Sequence, residues 1–236
     1  MGTHGGPKIP TNGLILALDA GNSKCTDNGI VDTVSNIVGA RGIVSGPYGQ
    51  PNTGTPTRHG GTFPEISGSF GGHFDFSGGR GMRVEEALSK GTTMTQCMWF
   101  YNKTSDIMYF GDGRNDAGTY FLTNYGDANI NIGQKLRYKF SSTHAADDPL
   151  FLNRWHCMIV TSDGNGSKLY LAGIEVDSYM SQISVDEDFG INYTIGARFT
   201  TQNKWTGLFG QIHFYDRALS AIEAKQYYNA TKTRYK

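Results

Sequence analysis

Thr92-Thr93-Met94-Thr95-Gln96-Cys97-Met98-Trp99-Phe100-Tyr101 is the segment on which the fold turns. It is rich in β-branched and aromatic residues, the types that suit a pleated, packed surface. A strand with one wet face alternates apolar with polar residues. This one carries apolar groups on both parities, which predicts a central strand covered on both faces. Trp99, Trp155, Phe74, Phe76 and Phe214 are accordingly expected to be mostly buried between two sheets.

Working outward, the same signature recurs in shorter pieces. Toward the C-terminus, residues 106–110, 120–124, 129–132 and 135–141 read as strands separated by Gly-Asp and Asn-Gly type turns. Residues 155–161 and 168–172 flank Ser162-Asp163-Gly164-Asn165-Gly166, a strong hairpin signal in which the Asp163 side chain serves the turn. Residues 193–196 and 205–215 close the series. Toward the N-terminus, 13–19 reads as a buried strand, 73–76 as a half-buried one and 82–84 as a short one. Residues 40–72, dominated by Gly, Pro, Thr and Ser, form a long wrapped loop region with room for two short strands. Only the end reads as helical. Ser220 with Glu223 three residues later makes a capping box, and 221–229 follow with good helix formers. Many short strands with closely spaced turns predict an all-β fold, a two-sheet antiparallel β-sandwich (jelly roll) with a short C-terminal helix. The expected organisation is an extended Gly/Pro-rich arm over 1–12, a jelly-roll domain over 13–230 and a basic tail over 231–236.

Composition narrows the function classes. Over 236 residues, Lys plus Arg is 21 and Asp plus Glu is 21, a net charge of zero, which argues against a nucleic-acid binder and a polybasic membrane-surface protein. No apolar run approaches the ~18 residues a membrane helix needs. The first ten residues lack the apolar core of a signal peptide, so the expected site of synthesis is a cytoplasm. The sequons at Asn102, Asn165, Asn192 and Asn229 then read as chance matches. Three cysteines (Cys25, Cys97 and Cys157) fit free thiols, although a Cys97–Cys157 bridge between neighbouring strands stays open.

Four segments, in order, resemble a concanavalin A-like, laminin G-type jelly roll. They are Gly13-Leu14-Ile15-Leu16-Ala17-Leu18-Asp19-Ala20-Gly21-Asn22; Gly72-His73-Phe74-Asp75-Phe76-Ser77-Gly78; Trp155 through Gly164 with Leu169-Tyr170-Leu171-Ala172-Gly173; and residues 205–228. The opening Leu-Asp-Ala-Gly-Asn and the closing Tyr-Asp-Arg-Ala-Leu-Ser turn with its helix are most similar to versions in tailed-phage virion proteins. That resemblance implies a virion structural protein, made in the host cytoplasm, decorating a capsid or belonging to a tail, neck or fibre. Its partners would be other virion subunits or copies of itself.

In the family an acidic calcium ligand often follows the isoleucine of the closing strand; here Gly210 stands there. Asp112, Asn115 and Asp116 offer hard oxygen ligands in one loop, a weak candidate calcium site without the distal Glu of an EF-hand; turn chemistry is the preferred reading, so no cofactor is expected. The Glu-x-Asp-x-x-Glu strand of the related endoglucanases is absent, as are a nucleophile elbow and a phosphate-binding loop, which predicts no enzyme. Trp155 reads as packing rather than a sugar platform, and His156 as a half-exposed strand residue. The alternative function is a glycan-binding adhesin, with Tyr48, His59, Tyr125 and Tyr179 as candidate loop aromatics.

Overall fold

The computed structural model describes residues 8–22, 25, 33–34, 44–45, 65–67, 71–77, 82–84, 93–104, 108–111, 120–123, 129–132, 136–139, 152–179, 193–196 and 205–236. Its elements run β1 (Leu14–Asp19), β2 (Thr33–Val34), β3 (Val44–Ser45), β4 (Glu65–Ser67), β5 (His73–Asp75), β6 (Met82–Val84), β7 (Thr93–Asn102) and β8 (Met108–Gly111). They continue with β9 (Tyr120–Thr123), β10 (Asn129–Ile132), β11 (Leu136–Lys139), β12 (Trp155–Asp163), β13 (Ser167–Leu171), β14 (Ile174–Tyr179), β15 (Tyr193–Ile195) and β16 (Gly207–Tyr215). Helix α1 (Ala221–Thr231) and a 3-10 turn (Lys232–Arg234) end the chain.

Two antiparallel sheets result. The first runs β14-β13-β12-β7-β16-β5-β4, with β1 also on β16; the second runs β11-β10-β9-β8-β15-β6-β3-β2. Strand β7 is central, as its composition predicts. It pairs with β12 along its whole length, Trp155 opposite Tyr101 through Asp163 opposite Thr93, and with β16 on its other edge. The far edge of β16 is shared, by β5 at Leu208 and Phe209 and by β1 from Gln211 to Tyr215. A register shift between Phe209 and Ile212 accommodates the change.

The parity of β7 divides the interior in two. Met94, Met98 and Phe100 point into the main core with Phe74, Phe76, Met158, Trp205, Phe209, Ile212, Phe214 and, from the second sheet, Ile195. Cys97 and Trp99 point the other way, into a second cluster with Cys157, Ile159, Tyr170, Tyr215, Tyr227 and Tyr235. Phe74, Phe76 and Phe214 thus lie between the sheets as expected, whereas Trp99 and Trp155 do not. Both face outward, where α1 and the residues after it replace the opposite sheet as cover.

The helix is held by its start and its end. Ser220 Oγ accepts from the Glu223 amide and Glu223 Oε2 from the Ser220 amide, the reciprocal cap foreseen from sequence. Arg217 pairs with the same carboxylate at 2.6 Å. Thr95, facing outward on β7, donates to the Arg217 carbonyl and accepts from the Leu219 amide at 2.8 Å, which ties the helix entry to the sheet. Ala224, Tyr227 and Thr231, spaced by three and four, turn inward.

Neither chain end is separate from this unit within the described residues. Lys8, Pro10 and Asn12 offer backbone carbonyls to Gln226, Tyr215 and Arg217, and Ile9 packs on the outer cluster. Arg234, placed by sequence in a basic tail, instead grips Asp19 through both oxygens at 2.7 and 2.8 Å and donates to the Gly71 carbonyl. Tyr235 beyond it is buried. The three cysteines are free and buried. Cys97 lies opposite Ile159 and Cys157 opposite Trp99, so the two thiols are diagonal neighbours and not a bridged pair.

Candidate functional site

Where the helical cover stops, the outer face of the first sheet opens into a groove of about 1020 Å³. Its floor is set by strand pairing: Trp99 and Tyr101 of β7 beside Cys157 and Trp155 of β12. Consecutive outward residues on paired strands meet side by side, which gathers aromatics far apart in sequence. Tyr228 of α1 and Tyr235 supply one wall. Trp99 is stacked between them, 5.8 Å from Tyr228 and 4.7 Å from Tyr235 between ring centroids, and its Nε1 donates to Thr231 Oγ1 at 2.8 Å. Trp155 is the more open of the pair. It packs against Tyr235 at 4.8 Å and edge-on to Tyr101 at 5.6 Å, and remains half-buried.

The rest of the rim is made by two turns. Asn153 and Arg154 lead into β12, and Ala172 lies in the two-residue turn between β13 and β14. Asn153 (φ 57°) and Ala172 (φ 50°) are the non-glycine residues with left-handed backbone among those described, and both line the groove. With Gly173 at φ 75°, Ala172 forms a hairpin turn with two positive φ values, the geometry that matches strand twist. Gly173 is needed twice over there, because a Cβ would also press on Lys225 and Tyr228 of α1 at 3.0 Å.

Behind the wall lies a polar cluster that anchors it. Burial works against the charge of Asp19, but hydrogen bonds from Arg234 and Gln211 outweigh it and hold the carboxyl below its usual range. His213 Nδ1 and Tyr227 Oη are 2.8 Å apart, and burial pushes the imidazole down to about 4, so it is neutral at pH 7. Burial also drives the Cys97 and Cys157 thiols up, which leaves them un-ionised and poor nucleophiles.

The residues singled out from sequence fall elsewhere. Tyr48, His59, Tyr125, Asp112, Asn115 and Asp116 lie outside the described residues. Tyr179 is at the end of β14, 43% exposed, and does not line the groove. His156 is half-buried on the opposite parity, its ring 5.2 Å from Phe100. Asp163 accepts from the amides of Asn165 and Gly166 at 2.8 Å and so shapes the hairpin. Gly210 has a clear reason to lack a side chain, since a Cβ there would run into the ring of Tyr235. Among the described residues no three His, Cys, Asp or Glu side chains gather as a metal centre.

Residues 76–225 match the family model of the concanavalin A-like lectin/glucanases superfamily, in its third laminin G form. The chain belongs to that superfamily. No curated protein matches it in sequence. Among solved structures, domain 4 of AbnA, a GH43 extracellular arabinanase from Geobacillus stearothermophilus in complex with arabinotriose, is similar over 92% of this chain and 98% of that one. The TM-score is 0.62 at 14% identity. The botulinum neurotoxin type G receptor-binding domain gives 0.60 at 12% identity, and the serotype D ligand-binding domain in complex with N-acetylneuraminic acid 0.60 at 13%. The chain spans about half the length of these toxin domains. At such identities the likeness is one of superfamily fold. Groove residues such as Trp155, Arg154 and Tyr228 have to be judged on their own geometry.

Proposed function

We propose that the chain acts by binding rather than catalysis, and that its ligand is a saccharide held in the groove beside Trp155. The observation that carries this is the half-buried pair Trp155 and Tyr101, backed by the buried ring of Tyr235 and flanked by the exposed Asn153 and Arg154. Aromatic faces take up the apolar C–H side of a sugar ring, while amide and guanidinium groups at the rim satisfy hydroxyls and fix orientation. The solved relatives in complex with arabinotriose and N-acetylneuraminic acid lend support from the same fold. A non-catalytic role fits the sequence, which lacks the paired carboxylates of the endoglucanases. A glycan array followed by titration calorimetry tests the reading. Wild type should bind at least one oligosaccharide, and Trp155→Ala should lose it while keeping a cooperative melt. Hydrolysis of a bound glycan would move the chain to the enzymes.

A second reading concerns where the module works: a tailed-phage virion, as a capsid decoration or part of the tail, neck or fibre, assembled with other virion subunits or copies of itself. Its support is the joining of the two segments that resemble virion proteins. The Leu18-Asp19-Ala20-Gly21-Asn22 end of β1 lies along β16, and Asp19 is clasped by Arg234 from the closing segment. Imaging of antibody-labelled particles decides it, and labelling confined to non-particulate material would reject it.

A further inference from the structure

The charges around the groove select among saccharides. Arg154, Lys232 and Lys236 line it, and among the described residues no Asp or Glu does. In a chain whose cations and anions balance at 21 each, so one-sided a rim is a local departure. Four other described cations are paired with carboxylates: Arg217 with Glu223, Arg234 with Asp19, Lys103 with Asp75 and Lys168 with Glu175. Among the described residues no carboxylate partners Arg154, Lys232 or Lys236. Lys232 Nζ instead meets the Asn229 side-chain oxygen at 2.7 Å and lies 5.3 Å from the centre of the Tyr228 ring, at the groove wall.

Resting on the saccharide reading, we infer that the groove takes an acidic saccharide, one whose ring carries a carboxylate. The sugar ring lies against Trp155 and Tyr101, and its carboxylate meets the guanidinium of Arg154 from the turn or the ammonium of Lys232 from the helix end. A guanidinium presents two parallel N–H donors to a carboxylate, a geometry a neutral hydroxymethyl group cannot exploit. The flanking rings lower the local dielectric, which strengthens that pair relative to one in open water. Asn153, with left-handed backbone, donates its amide to the Asn102 carbonyl at 2.9 Å, so the backbone that carries Arg154 is held to the end of β7.

Matched pairs of probes test charge separately from sugar: oligogalacturonate against its methyl ester, sialyllactose against lactose, and hyaluronan fragments against chitooligosaccharides. The acidic member of at least one pair should bind more than tenfold tighter than its neutral counterpart, and the affinity should fall as salt rises from 50 to 500 mM, about the range over which such ion pairs are screened. Arg154→Gln with Lys232→Gln should remove most of that difference while the melting temperature holds. Equal binding within the pairs, or a neutral preference, overturns the inference and leaves the saccharide reading standing. Failure of every probe overturns both. Poly-glutamate binding as tightly as the best saccharide would show a site for acidic chains in general and also overturn the inference.

Discussion

The two faces of the first sheet are built from the same strands and do different work. On the inner face Met94, Met98 and Phe100 meet Phe74, Trp205 and Phe209 in a closed apolar core. On the outer face Trp99, Tyr215, Tyr227 and Tyr235 meet a helix, and polar handles appear at every step: Trp99 to Thr231, His213 to Tyr227, Tyr215 to the Pro10 carbonyl. A second sheet brings a broad surface that seals what it covers. A single helix of 11 residues cannot, so the outer face is closed over part of its length and open over the rest. The fold is sealed on one side, and an aromatic groove is left open on the other.

The chain's three tryptophans sample this gradient and give the most direct way to break the comparison. Trp205 is fully buried in the inner core, with Nε1 donating to Asn102 Oδ1 at 3.0 Å. Trp205→Ala should cost about 5 kcal/mol, because it opens a closed cavity and strips Asn102 of its partner. Trp99→Ala, under the helix, should cost about 3 kcal/mol, since the loosened helix end can settle into part of the space. Trp155→Ala, at the open rim, should cost about 1 to 2 kcal/mol. Urea melts of the three variants give the order. Were Trp155→Ala as damaging as Trp205→Ala, the outer face would be as structural as the inner one.

Acid separates the faces by a different route. His213 is buried on the outer side near Asp19 and Arg234, and its imidazole titrates at about 4 when folded against an ordinary 6.5. Between those values the unfolded chain takes up a proton that the folded one refuses, so stability is full above pH 6.5 and falls as pH drops through 4. The loss should be on the order of 3 kcal/mol. Glu223, lowered to about 2 chiefly by Arg217, and Asp19 add losses only at lower pH, below the ordinary carboxylate range. The pH 7 to 4.5 step should therefore be much smaller in His213→Gln. An unchanged step in that variant would place the acid sensitivity elsewhere.

How far the sequence discloses this architecture depends on whether the relevant signal is local. The central strand, the Ser162–Gly166 hairpin and the Ser220–Glu223 cap were all readable, because each is written within about ten consecutive residues. Strand β14 was not foreseen, being an edge strand whose Ile174 is 66% exposed, so no buried stripe marks it. The two-sided apolar pattern of β7 correctly implied cover on both faces but could not say that one cover is a helix. Trp99 and Trp155 therefore sit under that helical cover and not between the sheets, where the sequence pattern places them. The groove was invisible for the same reason. Tyr101, Trp155, Ala172 and Tyr235 become neighbours only through strand pairing and the docking of the C-terminal residues, and nothing in their separate contexts distinguishes them from ordinary packing.

The mildest test concerns the turn at the groove's rim. The structure holds Ala172, in the turn between β13 and β14, at φ 50°. A left-handed backbone costs an ordinary L-residue roughly 1 kcal/mol, and Asn pays less because its short polar side chain bonds locally. Ala172→Asn should thus raise stability by about 0.5 to 1 kcal/mol, and Ala172→Gly by less, because glycine loses more freedom on folding. If the only consequence is stability, saccharide affinity will be unchanged in both variants. A groove that depends on the turn's present shape will instead show tighter folding with weaker binding in Ala172→Asn, as a larger side chain enters the rim. Melts and calorimetry on the same two variants separate these outcomes. A loss of stability in Ala172→Asn would mean that neighbouring packing, rather than backbone conformation, decides this position.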